Sequence, residues 1–499
     1  MKMRLLGCGL ASMLLGCSLI VTADKECVVT RDCAPGRFCE QGYCVKASLR
    51  SLITDKCPRV FAETMGGEMD LDRDLTTDTI VLGTLMPYTG ELSAYGPKID
   101  RGVQLAVSEI NKGSGIQERE IAVLSCDSGT DPDLACASAK YLIDKVGVPA
   151  IIGPAGSSEV IKVYTEVAKD RGTLLITPSA TAAAITNLSD PDDLLWRTCP
   201  SDALQGAAIA GYLKSSGLTR LAIVNRADTY GSGLHDVITS STSGLCATFP
   251  CTDDKAFYNR SYPEKPYTDA QAAMMPELFA FKPQATVLVA YGEDGENFLK
   301  LADGQLQKFI VTDGMKADTL AGLAVGSEIL CRLFGTQPAS PAAPANQTFK
   351  LSYKARFGEP DGAFSANAYD ALYLIGFALS SLELKDHPER LSGKEIGRGL
   401  KRVSAGLVIS PGGTDFQKGV NQLMSASDAT IDYAGASGPL NFDSFGEPTS
   451  SIEAWALNLD TKKIESLGVI QEADGQYVGG SIVQPVPGKG AACLSIPAR

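Results

Sequence analysis

Histidine is nearly absent from this sequence, 2 in 499 residues, and tryptophan is equally scarce. So little imidazole argues against a histidine-built metal site or acid–base centre. Neither His235 nor His387 has an HExxH or GxSxG setting, and both are expected on the solvated surface. No Walker-type phosphate loop and no GxGxxG turn occurs, so nothing cradles a nucleotide, and neither cofactor, metal nor enzymatic activity is expected. Cations are also in deficit: 45 Lys and Arg face 58 Asp and Glu, for a formal net charge of −13. Without a basic run to displace counterions, nucleic acid is excluded as a partner. After the first residues, no stretch approaches the ~18 consecutive apolar residues that span a bilayer.

The N-terminus reads as an export signal. Lys2 and Arg4 precede an apolar run, and Leu14-Leu15-Gly16-Cys17 within it resembles a bacterial lipobox. Residues 1–16 are the expected signal peptide and Cys17 the expected lipidation site; ordinary cleavage after Ala23 is the alternative. The implied localisation is the periplasm or cell envelope, on a lipid anchor in the membrane.

Cysteine is plentiful, at 14 residues, which suits an oxidising compartment. Five fall early, at Cys27, Cys33, Cys39, Cys44 and Cys57, in a Gly-, Pro- and charge-rich stretch without hydrophobic periodicity. A small disulfide-stapled module is expected there. Zinc is the alternative, although CxxC pairs and histidines are missing from the stretch. Two local disulfides are expected further on, Cys126 with Cys136 and Cys246 with Cys251.

From residue 79 short apolar runs alternate with helix-period segments. Ile80-Val81-Leu82 reads as a buried strand, and Val103, Ala106, Val107 and Ile110 as one buried helix face. Strands around 121–124, 150–152 and 173–176 continue the series, which restarts after Arg197 with strands near 221–224, 286–290 and 309–312. The expected fold class is α/β, with two doubly wound parallel-sheet lobes and a small Cys-rich N-terminal module. Gln337 to Pro344 is a Pro/Ala-rich extended loop between folded segments.

Open parallel sheets bind ligands beyond the carboxyl ends of their strands, where helix N-termini favour anions. The first series offers Gly153-Pro154-Ala155-Gly156-Ser157-Ser158 and Thr177-Pro178-Ser179-Ala180-Thr181 there; the second offers Asp228-Thr229-Tyr230-Gly231, Tyr291-Gly292-Glu293 and Asp313-Gly314. Hydroxyls and amides in one lobe, tyrosines and carboxylates in the other, match a zwitterion. A helix-capping role competes for the serines, and a simple turn for Asp313-Gly314.

These loops, with Met86-Pro87-Tyr88-Thr89-Gly90, Ala94-Tyr95-Gly96, Trp196-Arg197-Thr198, Ala368-Tyr369-Asp370-Ala371 and Gly438-Pro439-Leu440, are specific as an ordered set. Across 79–483 the chain resembles the type I periplasmic binding proteins, in their branched-chain amino-acid and amide-binding branch. The resemblance implies three crossings between lobes, forming a three-strand hinge near Thr198, Cys331 and Asn441. It divides the chain into a lipidated Cys-rich segment 17–75, lobe 1 at 76–198 plus 331–440, lobe 2 at 199–330 plus 441–485, and a tail, 486–499. It further implies that Ser157 or Ser158, with Ala180 and Thr181, holds a ligand carboxylate. Tyr95, Tyr230 and Tyr291 would line the side-chain pocket, and Asp313 would hold the ammonium. The implied function is capture of a small amino acid or related compound for an ABC permease. A cell-envelope sensor or interaction protein on the same fold is the alternative.

Overall fold

The computed structural model describes residues 25–478, apart from 34–36, 65–66, 77–78, 217, 219, 242–256, 306, 340–342, 383, 385–390 and 473. Cys17, Cys246, Cys251 and His387 lie outside the described residues, and so do the signal and the tail.

Two seven-stranded sheets organise the chain. In the first, Thr79–Met86 is flanked in parallel by Glu120–Asp127 and Ala150–Ile152, and Leu174–Thr177 and Leu195–Arg197 follow. These strands are apolar on both faces because helices cover both sides. Helix Gly96–Lys112 buries Ile99, Val103, Ala106, Val107 and Ile110 and packs against Ser365–Ser380. In the second sheet, Leu221–Arg226 lies between Phe257–Tyr262 and Ala285–Val289, and Lys308–Val311 and Leu333–Pro338 continue the parallel run. Ile452–Asn458 and Lys463–Gln471 close it antiparallel. In each sheet the first strand of the series has its successors on opposite sides. That arrangement leaves a crevice at its carboxyl end. The α/β class with two parallel-sheet lobes is thus the observed architecture.

The segment expected to be a linker is partly sheet. Arg59–Thr64 pairs antiparallel with Glu120–Asp127, placing Arg59 opposite Ser125. That register sets Cys57 beside Cys126, and the two form a disulfide. The expected Cys126–Cys136 pair is therefore corrected: Cys136 is a buried free thiol on helix Pro132–Lys140. Cys331 is also disulfide-bonded. The Cys-rich module is stapled by Cys27–Cys39 and Cys33–Cys44, so these thiols are unavailable to zinc. The module docks on lobe 1: the Thr30 hydroxyl donates to the Lys145 carbonyl, and Phe38 joins the core formed with Ala139, Leu142 and Ile143.

The chain crosses between lobes after Leu195–Arg197, after Leu333–Pro338 and before Ile452–Asn458. The second crossing, expected near Cys331, comes later because Leu333–Pro338 is itself a strand of the second sheet. The described ends of the Pro/Ala-rich stretch belong to that strand, which ends at Pro338, and to helix Pro344–Phe357. Asp370 fastens the third: its carboxylate accepts from the Tyr433 hydroxyl (2.8 Å), the Ala436 and Ser437 amides (2.9 and 2.7 Å) and the Ser437 hydroxyl (2.6 Å). Among the described residues, no helix is long and apolar enough to cross a membrane.

Candidate functional site

The strand ends of the two lobes face one another and enclose a cavity of about 30 Å³. Lobe 1 supplies Leu92, Tyr95, Ile99, Ala155, Ser157, Ser179, Thr181 and Phe364; lobe 2 supplies Tyr230, Tyr291, Asp313 and Gly314. Backbone freedom is needed at Gly153, where φ is +112° and a Cβ would stand 2.3 Å from the Leu85 carbonyl oxygen. Only glycine lets the Ser157 loop lie this close to the central strand. Phe364 lines the cavity from a left-handed backbone, φ +63°, at the start of helix Ser365–Ser380. The lobes touch: the Tyr95 hydroxyl donates to the Gly314 carbonyl at 2.9 Å, and the Thr229 amide to Ser158 Oγ at 3.4 Å. One water needs roughly 10–15 Å³ of such space, so a ligand of leucine's size requires the lobes to part and reclose around it.

Six of the expected residues converge on the cavity: Tyr95, Ser157, Thr181, Tyr230, Tyr291 and Asp313. Two do not. Ser158 is the acceptor in the contact with Thr229 across the cleft, and the Ala180 amide is spent on Thr177 Oγ1 at 3.1 Å. Neither serine caps its helix; Gly156 is the N-cap, its amide held by Glu159 Oε2 at 2.9 Å. Ser157 Oγ accepts from the Ala182 amide at 3.2 Å, leaving its own proton for a ligand oxygen. Thr181 differs, since its hydroxyl donates to Asp202 Oδ2 at 3.0 Å and so presents lone pairs to the cavity.

Asp313 is 3% exposed. The Tyr230 hydroxyl stands 2.8 Å from its Oδ1 and 2.7 Å from Thr312 Oγ1. Burial pushes the Asp313 carboxyl above its ordinary range, and pushes Asp202 up further still, with the Asp313 charge adding to the effect. Asp313 lines the cavity, Asp202 stands behind Thr181, and no cation is among the described lining residues, a setting that suits a positively charged group. Glu293, the competing acid in the sequence, is exposed.

Several residues serve the site without having been singled out. Arg197, 1% exposed, donates to the carbonyls of Ala180, Thr181 and Ala182 and pairs with Glu447 at 2.5 Å at the hinge. Its place beside Trp196 in a quoted motif was the available signal. Asp202 follows Ser201, whose hydroxyl caps helix Asp202–Ser215. Tyr230 and Tyr291 stack at 5.3 Å, and Arg226 lies over the other ring at 3.8 Å from the Tyr291 centroid. His235, expected on the solvated surface, is half-buried on helix Thr229–Ser241 and held by Asp236 and Asn259, away from the cavity.

Two sheet-and-helix lobes joined by three crossings, with a mostly apolar cavity carrying a few polar groups between their strand ends, define the class of two-lobed solute-binding proteins. A family model, the periplasmic binding protein, matches residues 79–428, and the chain belongs to that family. It is accordingly a binding protein and not an enzyme, of an exported, periplasmic kind. Among curated relatives, a Leu/Ile/Val-binding protein of Escherichia coli K12 is 28% identical over 67% of this chain and 86% of its own length. Another from Rhizobium johnstonii is 24% identical over 66% and 87%. Among solved structures, the LivJ substrate-binding protein of a branched-chain amino acid transporter from Streptococcus pneumoniae, in complex with isoleucine, superposes with a TM-score of 0.63. It is 22% identical, over 79% of this chain and 99% of that one. A solute-binding protein from R. palustris in complex with benzoate gives 0.57, at 17% identity over 78% and 96%. The fold itself therefore does not decide the ligand.

Proposed function

We propose that this protein captures an α-amino acid with an apolar side chain and hands it to an ABC permease in the inner membrane, tethered by lipid on Cys17. The observation that carries the reading is the polarity of the cavity. Ser157, a free hydroxyl donor at a helix start, faces the carboxylate; Asp313 and the Thr181 oxygen face the ammonium. Tyr230, Tyr291, Leu92 and Ile99 receive the side chain. Leaving the Asp313 charge buried without a counter-cation is costly, and an ammonium offsets that cost, which a plain carboxylic acid cannot. The names of the Leu/Ile/Val-binding relatives point the same way. The lipobox at Cys17 supports the tether, because such a protein gains from being held beside its permease. A thermal-shift screen tests the reading, since a ligand of the native state alone raises its melting temperature. Leucine, isoleucine or valine should raise it and small anions should not; a shift with anions or amides alone would refute the proposal.

A further inference from the structure

At the two switch points, directly across the cleft, stand a glutamate and an arginine that ligand binding does not use. Glu91 lies in the loop after Thr79–Met86, in lobe 1; Arg226 ends Leu221–Arg226, in lobe 2. Arg226 Nη2 meets Glu91 Oε2 at 2.8 Å, with side chains 1% and 4% exposed. Lobe 2 holds the guanidinium from behind, through Asp228 at 2.6 Å and Asp294 at 3.2 Å. Gly231 permits this arrangement, since a Cβ there would fall 2.1 Å from the Arg226 carbonyl oxygen. The more exposed Lys265 reaches the other Glu91 oxygen only at 4.0 Å, and Glu264 stands 3.9 Å from Arg226 Nη2; the buried Arg197–Glu447 pair lies at the hinge.

We infer that Arg226 and Glu91 form the closure latch of the cleft, acting as positioning residues that couple lobe closure to the shape of the pocket. The inference rests on the reading that the cleft works by closing. Glu91 is bracketed by its loop into the wall that carries Leu92 and Tyr95. Arg226 backs Tyr291, which stacks on Tyr230, which bonds Asp313. When the lobes part, Glu91 is released to water while Arg226 keeps both aspartates. The open form thus strands no buried charge in lobe 2. When they close, Nη2 gains a charged acceptor in a water-poor setting, where such bonds are strongest.

Hydrogen–deuterium exchange on the full chain without any ligand tests the latch, so an error in the ligand assignment leaves the result untouched. In Glu91→Ala, amides of residues 88–95 and 226–231 should exchange about tenfold faster or more, as expected when a buried charged acceptor is lost. Glu91→Gln keeps an acceptor without the charge and should fall between Ala and the parent. The core strands Thr79–Met86 and Ala285–Val289 should exchange as before in both variants. Unchanged exchange at the two facing loops would overturn the latch. So would a rise spread through the core strands, which would make Glu91 a general stabiliser instead.

Discussion

The proposed ligand chemistry turns on Asp313. Its carboxylate is buried near Asp202 with Tyr230 as its hydroxyl partner, and no cation is among the described residues lining the cavity. Replacing it with Asn keeps the shape and removes the charge, so Asp313→Asn should weaken leucine binding by roughly 2–5 kcal/mol, read by calorimetry. Glu293→Gln, at an exposed position, should leave affinity unchanged. Equal affinity in parent and Asp313→Asn would return Asp313-Gly314 to the status of a turn. Glu159 makes a second residue-scale prediction. Burial raises its carboxyl to about 8. An unfolded glutamate titrates near ~4.3, so between ~4.3 and ~8 the folded state holds a proton that the unfolded state has lost. Stability therefore falls as pH rises through that window. Glu159→Gln should abolish the fall and be more stable than the parent at about pH 8, measured by denaturant unfolding. Parallel pH profiles for the two proteins would contradict this.

At the scale of elements, the strand-end rule made most of the site legible from sequence. The alternation of apolar runs and helix faces located the strands, and the loops after them contained Ser157, Thr181, Tyr230, Tyr291 and Asp313, which line one cavity; Tyr95, the sixth, came from the family resemblance alone. Ser158 and Ala180 escaped the rule for a local reason: adjacent residues of a turn or helix start point in different directions, and only one can face the ligand. The Arg226–Glu91 pair was out of reach because its partners are 135 residues apart and meet only when the lobes pack. Strand Arg59–Thr64 was hidden too. It lies near the rim of the sheet, with only the two-residue strand Gly67–Glu68 beyond it, and Arg59 and Glu63 make it look like a polar linker. Strand Leu333–Pro338 ends in a proline and contains Gly335, whose missing side chain makes room for the Trp455 ring, so neither end reads as a strand. The segment carries its own prediction. The Cys57–Cys126 disulfide closes a separation of 69 residues. The double variant Cys57→Ser, Cys126→Ser should lose about 2–5 kcal/mol of stability in denaturant unfolding. It should still bind ligand, because the disulfide ties the N-terminal segment to strand Glu120–Asp127 rather than to the residues lining the cavity. Unaltered stability would mean that sheet pairing alone holds the segment.

Across the whole molecule, two switch points face each other, three crossings join the lobes behind them, and an N-terminal module is fixed to one lobe by hairpin and disulfides. Closure then brings lobe 1 hydroxyls against lobe 2 carboxyls, so a single ligand must satisfy both. Fold resemblance alone leaves room for an aromatic acid, as in the benzoate complex, or for an amino acid, as in the isoleucine complex. The ammonium group separates them. The most direct measurement is a calorimetric titration of the full chain with leucine and with 4-methylpentanoate, the same molecule lacking its amino group. Loss of the ammonium partner of buried Asp313 should weaken binding by roughly 2–5 kcal/mol, about thirtyfold or more. Binding of 4-methylpentanoate as tight as that of leucine would contradict the account.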